Sequence, residues 1–177
     1  MFTGVMDYPP NEDAVVWFAD KVWPLLRRRS PDLVFQIVGT RPTARVTALT
    51  AMAGIEVTGE VPDVRPFVEQ ALAFVVPLRS GGGTRLKILQ AMAIGCPVIS
   101  TRLGAEGLAV RDRDNILFAE RPEEFLDRLE DLRSSQELAD RLSENARALV
   151  LQQYDWKSCL KAVDRLYGDL LGAETRP

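Results

Sequence analysis

The sequence predicts an α/β protein built on a doubly wound parallel sheet, and three observations carry that expectation. Short strand-like runs alternate along the chain with segments of helical period. The strand runs are apolar throughout rather than alternating, as in strands covered on both faces. A block of three glycines, Gly81-Gly82-Gly83, stands between one such run and a helix, the place where parallel sheets of this kind carry a ligand loop.

The elements follow in order. Phe2–Met6 reads as a strand, broken by Asp7-Tyr8-Pro9-Pro10-Asn11, with Asn11 expected as the cap of the next helix. From about Asp13 to Arg29, Val15, Phe18, Val22, Leu25 and Leu26 recur at helical steps, and Pro24 predicts a kink because it lacks an amide donor. Leu33–Val38 is a buried strand closed by Gly39, and Thr43–Ala53 a weaker helix. Ile55–Val57 is a short strand, Val64–Leu72 a short helix and Ala73–Val76 the next strand. After the glycines come a helix at about Thr84–Ala93 with Gly95 as its stop, then strands at Pro97–Ser100 and Asn115–Phe118. The remainder reads as helices over Pro122–Arg133, Gln136–Gln152 and Trp156–Leu171. Residues 1–177 form one expected domain, and a strand directly behind the first Met predicts a domain excised from a longer protein.

Composition bounds the function. The chain has 177 residues, 46% hydrophobic, with a net charge of −3, enough for a real core and too acidic for a sequence-independent grip on nucleic acid. No apolar run approaches the roughly 18 residues of a membrane-spanning helix, and no export signal is visible, so the cytoplasm is the expected compartment. The two cysteines, Cys96 and Cys159, are too far apart for a disulfide framework or zinc knuckle; both read as small packing residues. Histidine is absent, which removes Ser-His-Asp, Cys-His and His-based metal sites from this chain and leaves Asp, Glu, Lys, Tyr or Cys for any proton transfer. No metal site is expected.

In a doubly wound sheet, chemistry belongs to the loops beyond the strands' carboxyl ends, here residues 5–11, 39–42, 59–64, 77–84 and 100–107. The richest is Pro77–Ala93. Its glycines let a ligand approach the backbone, and the amides of Gly82 to Arg85 then face outward at a helix N-terminus, a site suited to phosphate. Arg79, Arg85 and Lys87 add charge nearby. The same features also describe a tight turn with solvated basic residues. Gly83-Thr84-Arg85 is not the Gly-Lys-Ser/Thr of a P-loop, and the loop follows the fourth strand where a dinucleotide fingerprint follows the first. In the second patch, Ser100–Leu108, Glu106 is expected either to accept from ligand hydroxyls or to balance Arg102. Trp17, Trp23 and Trp156 read as core or inter-domain packing, and Arg27-Arg28-Arg29 as a solvated helix end.

Phe2–Ala14, Phe35–Gly39, Val57–Val61, Gly81–Val98 and Gly104–Leu108, with Tyr154-Asp155-Trp156 near the end, together resemble the C-terminal half of a family-4 glycosyltransferase. The resemblance implies the GT-B architecture, two Rossmann-like domains around a cleft. The C-terminal domain would bind a nucleotide-diphosphate sugar and the missing N-terminal domain most of the acceptor. It further implies hexosyl transfer with retention, as in polysaccharide biosynthesis, with no metal and no cofactor beyond the donor substrate. Peripheral membrane contact would fall to the intact protein. On this resemblance the backbone of Gly81, Gly82, Gly83 and Thr84, with Arg85 or Lys87 as the charge-stabilising groups, would hold the diphosphate. Val61 and Pro62 would border the nucleobase, with Gly39 and Thr40 at the cleft and Glu106 near the donor. Many relatives carry Glu at the positions of Gly82 and Gln90, and Arg and Lys after the first strand, where this chain offers Asp7, Tyr8 and Asn11. Gln90 keeps an acceptor and loses a charge-assisted bond. Two alternatives stand beside this reading: half of a nucleotide-sugar epimerase, against which the lack of histidine counts, and a non-catalytic interaction module. An apolar stripe of Leu160, Val163, Leu166 and Leu170 on the last helix is expected to meet the missing domain.

Overall fold

A computed structural model of the chain describes residues 1–160 and 166–168. Strands β1 (Phe2–Thr3), β2 (Phe35–Val38) and β3 (Ile55–Gly59) form one parallel sheet in the order β1-β2-β3. Strands β4 (Phe74–Val76), β5 (Val98–Ser100) and β6 (Leu117–Phe118) form a second in the order β4-β5-β6. The two are joined side by side. The Met1 nitrogen donates to the Ala73 carbonyl at 2.8 Å, and the Val75 amide donates to the Met1 carbonyl at 2.9 Å. That is the slanted exchange of a parallel pair, so the strands run in the order β3-β2-β1-β4-β5-β6 and the order reverses between β1 and β4.

Helices α1 (Pro9–Trp17), α2 (Trp23–Arg29) and α6 (Pro122–Ser134) pack together over the first sheet. Helices α4 (Arg65–Glu69), α5 (Leu86–Ile94) and α7 (Gln136–Leu149) form the other group, with α3 (Ala44–Thr47) against α1. Phe18 is the hub of the first group, with ring centres 4.6 Å from Phe35 and 5.7 Å from Phe125. Trp23 is buried and donates to the Ala53 carbonyl, while Trp17 meets Phe125 edge-on.

Several sequence expectations change. Asn11 is not a cap: α1 starts two residues earlier, with Tyr8 before it and Pro9 and Pro10 in its first turn. A proline there sacrifices no hydrogen bond, because first-turn amides have no helical partner. The kink expected at Pro24 takes the form of a π turn, Phe18–Val22, which ends where Pro24 enters the first turn of α2. Regular strand β1 ends at Thr3 rather than Met6, although the Met6 amide still reaches the Thr40 carbonyl at 2.9 Å. Helix α7 stops at Leu149 and continues as a second π turn, Val150–Tyr154.

Trp156, 82% exposed, belongs to no core among the described residues. Cys159 is exposed, whereas Cys96 is buried and its thiol is pushed up to about 11 by burial. Arg28 and Arg29 are exposed, as expected of a solvated helix end, with Arg29 paired to Glu130, while Arg27 donates to the Pro31 and Leu33 carbonyls. On the last helix Leu160 and Leu166 are exposed; Val163 and Leu170 lie outside the described residues. Among the described residues no helix is long and apolar enough to cross a membrane.

Phe18→Ala removes the ring on which Phe35 and Phe125 close. It is expected to cost about 3–5 kcal/mol and lower the unfolding midpoint by roughly 6–20 °C, read by thermal unfolding in circular dichroism.

Candidate functional site

The reversal of strand order sets the carboxyl ends of β1 and β4 side by side, where sheets of this kind form their ligand crevice. The loop after β1 (residues 4–8) forms one wall, and the loop from Pro77 to Arg85 the other. Three ties cross it. The Arg79 guanidinium donates to both carboxylate oxygens of Asp13, at 2.6 and 3.1 Å, and lies over the Trp17 ring. Gly81 sits so close to Pro10 that a Cβ would stand 2.8 Å from the proline Cγ. The Lys87 ammonium, reaching back from α5, donates to the Thr3 carbonyl at 2.9 Å and to Asn11 Oδ1 at 2.7 Å.

The glycine loop is an exposed ribbon. Gly81 and Gly83 have φ of +99° and +100°, a conformation glycine adopts without strain. Gly82 does not share it, and a side chain there would meet nothing within 4 Å. Among the described residues, none of the amides from Gly81 to Arg85 donates to a backbone or side-chain acceptor. These unpaired donors sit where α5, a nine-residue helix, presents the positive end of its dipole.

Beside Arg79, the other two cations expected at the loop, Arg85 and Lys87, are placed differently from free surface charges. Arg85 has a side chain only 6% exposed. Its Nη2 donates to the carbonyls of Gly81 at 3.2 Å and Leu103 at 2.7 Å, and its Nε is buried without a partner. Arg85 thus ties the glycine loop to the loop after β5. Lys87 is largely buried, and burial, aided by the charge of Arg85, lowers its pKa from 10.5 to about 7.

Glu106 faces Arg85 at 3.5 Å and is otherwise exposed. It does not balance Arg102, which lies 4.9 Å over the Phe118 ring and whose amide donates to Glu120. Gly104 is buried beneath this loop, where a Cβ would crowd Ser100 and come within 2.8 Å of the Val76 carbonyl. Gly39 packs against Gly4, leaving no space for a Cβ. Val61 and Thr40 are half-buried, and Gln90 and Pro62 are exposed.

The structure therefore gathers Gly81, Gly82, Gly83, Thr84, Arg85, Lys87 and Glu106 around one crevice. The residue that sequence reasoning misassigned is Asn11, whose partner is separated from it by 76 positions. A capping signature and a buried bridging amide look alike in sequence.

A buried lysine held near pH 7 has a signed consequence. Between about 7 and 10.5 the unfolded chain holds a proton that the folded chain has released, so this group's penalty is full below the window and relieved as pH rises through it. The stability of the wild type relative to Lys87→Met is expected to increase from about pH 6 to about pH 9. Urea melts at constant ionic strength measure it, and a flat difference would contradict a desolvated ammonium.

Comparison with known proteins places the fold. The C-terminal domain of a group 1 glycosyl transferase, LpcC, from Francisella tularensis is similar at 20% identity and a TM-score of 0.68, over 88% of this chain and 84% of that one. Anabaena HepE, whose crystal structure holds UDP, is similar at 14% identity and a TM-score of 0.72, over 97% of this chain and 48% of that one. An uncharacterized glycosyltransferase of Methanocaldococcus jannaschii is 32% identical over 110 residues, 61% of this chain and 31% of its own length. The chain spans less than half the length of the curated relatives it matches. The family model "Glycosyl transferases group 1" matches residues 1–135. With the sheet order, the crevice and that match agreeing, the chain belongs to the group 1 family of glycosyl transferases.

Proposed function

We propose that this chain is the donor-binding, C-terminal domain of a retaining, family-4 glycosyltransferase of the two-domain GT-B type. The intact enzyme transfers a hexosyl group from a nucleotide-diphosphate sugar to an acceptor hydroxyl, as in polysaccharide assembly. The observation that carries the reading is the run of unpaired amides from Gly81 to Arg85 at the start of α5, opening on the crevice between β1 and β4. In donor cleavage, negative charge grows on the leaving diphosphate. Fixed dipoles and nearby cations stabilise that charge without reorganising at the moment of reaction. The amides of Gly82, Gly83 and Thr84 meet the phosphate oxygens, and Arg85 and Lys87 supply positive charge from behind the loop. Gly39 and Val61 border the nucleoside; Gln90 and Glu106 accept from donor hydroxyls.

No cofactor or metal enters this scheme, and a leaving group stabilised in this way asks for no general base from this chain. The acceptor site and any further catalytic group would belong to the N-terminal domain, so the 177 residues are expected to bind nucleotide and transfer little or no sugar alone. The working compartment is the cytoplasm, with any membrane contact peripheral. The UDP held by the Anabaena neighbour supports uridine diphosphate as the first ligand to try. A second reading, a non-catalytic interaction module, is favoured by Arg79, whose charge is already spent on Asp13.

Thermal shifts with UDP, GDP, ADP and CMP separate the two. A ligand at 100 times its dissociation constant stabilises by about 2.7 kcal/mol, worth roughly 5–10 °C here. One diphosphate should shift the midpoint and CMP should not; no shift with any favours the interaction module. Gln90→Glu restores a charged acceptor at an exposed position. It is expected to tighten binding of the preferred diphosphate by roughly three- to tenfold in calorimetric titration.

A further inference from the structure

The loop after β1 and the first turn of α1 carry Asp7, Tyr8 and Asn11 and no cation. The fold supplies one from another element. Lys87 of α5 crosses the crevice and places its ammonium on the Thr3 carbonyl and on Asn11 Oδ1, 4.1 Å above the Phe2 ring. Asn11 is buried, and its amide is used at both ends: Nδ2 donates to the Val5 carbonyl at 2.9 Å, which leaves Oδ1 turned to the lysine. Gly4 leaves the room for this, since a Cβ there would stand 2.7 Å from Asn11 Nδ2 and 3.1 Å from Lys87 Nζ.

Every carboxylate on the facing element is engaged elsewhere. Asp7 pairs with Arg41 at 3.1 Å, Glu12 accepts from Thr43 at 2.9 Å, and Asp13 pairs with Arg79 at 2.6 Å. The charged group acting on Lys87 is Arg85 of the same strand-to-helix segment, which repels it. Among the described residues the ammonium has only neutral acceptors, and the amides of Gly81 to Arg85, which precede Lys87 directly in the chain, are unpaired.

We propose that Asn11 is a positioning residue that holds the Lys87 ammonium at the carboxyl end of β1, so that α5 provides the first loop's cation to a diphosphate bound across the crevice. This rests on the donor-site reading above. A neutral amide suits the task. An Asp at this place would neutralise the lysine permanently and repel the phosphate, whereas Asn aims the ammonium and leaves its charge for the incoming anion.

The test compares the 177-residue chain as wild type, Asn11→Leu, Asn11→Asp, Lys87→Met and the Asn11→Leu/Lys87→Met double variant. Calorimetry gives the affinity for UDP, GDP and ADP, and NMR of the labelled lysine Cε follows the Lys87 titration. Asn11→Leu should weaken diphosphate binding roughly tenfold when Lys87 is present and leave it unchanged in the Lys87→Met background. Asn11→Asp should also weaken binding while moving the lysine midpoint up from about 7. Equal losses in both backgrounds would mark Asn11 as merely structural and overturn the proposal. So would a Lys87 titration that Asn11→Asp leaves in place. Should Asn11→Leu fail to fold, Asn11→Asp carries both readouts. A wild type that binds none of the three nucleotides overturns the donor-site reading, while the NMR titration still decides the hold of Asn11 on Lys87.

Discussion

Everything at the site depends on one constraint, the reversal of strand order between β1 and β4. Two neighbouring parallel strands whose onward connections leave in opposite directions cannot have both loops cover the gap between them. The gap must then be closed by side chains or left for a ligand. Here it is partly closed, by Arg79 on Asp13, by Pro10 against Gly81 and by Lys87 on Thr3 and Asn11. The floor is sealed by short-range packing, while the amides of the glycine ribbon stay unpaired above it. Close packing below and unpaired donors above are what the proposed anion site would require.

Burial sets how each cation can act. Arg79 spends its charge on an exposed pair, a contribution small in stability and sensitive to salt. Arg85 and Lys87 are withdrawn from water and meet mainly carbonyls and an amide, so their fields are screened less than those of surface residues. The fold carries a standing cost for that desolvation, and an anion bound at the loop would offset it. On the proposed function, stability and affinity are opposed at Lys87, because replacing it relieves burial and removes positive field together.

Much of the architecture was legible because it is local. Alternation of apolar runs with helical periods marks out the succession of strands and helices, and Gly81-Gly82-Gly83 marks the ribbon where the structure has it. What was illegible involves partners far apart along the chain. Asn11 reads as a cap because a capping Asn and a bridging Asn share composition; only the arrival of Lys87 distinguishes them. Arg85 reads as a charge beside the glycine loop, and nothing in its neighbourhood announces the Leu103 carbonyl that draws it inward. The same holds for Glu106 and Arg102, close in sequence yet turned to different partners. Strand and helix ends shift by a few residues where prolines fit a first turn or where two glycines, Gly4 and Gly39, bring backbones together.

The three glycines are not equivalent, and the difference reaches beyond this one chain. The ribbon's path is set by Gly81 and Gly83, whose φ values favour glycine, whereas Gly82 has ordinary backbone and empty space around it. Change at that middle position is nearly invisible to folding. A side chain can be gained or lost there at little cost to the fold, so on the proposed function an acidic group toward the donor could come and go without passing through an unstable intermediate. A fold that separates the residues shaping a loop from the one addressing its occupant leaves evolution a site where function is adjustable on its own.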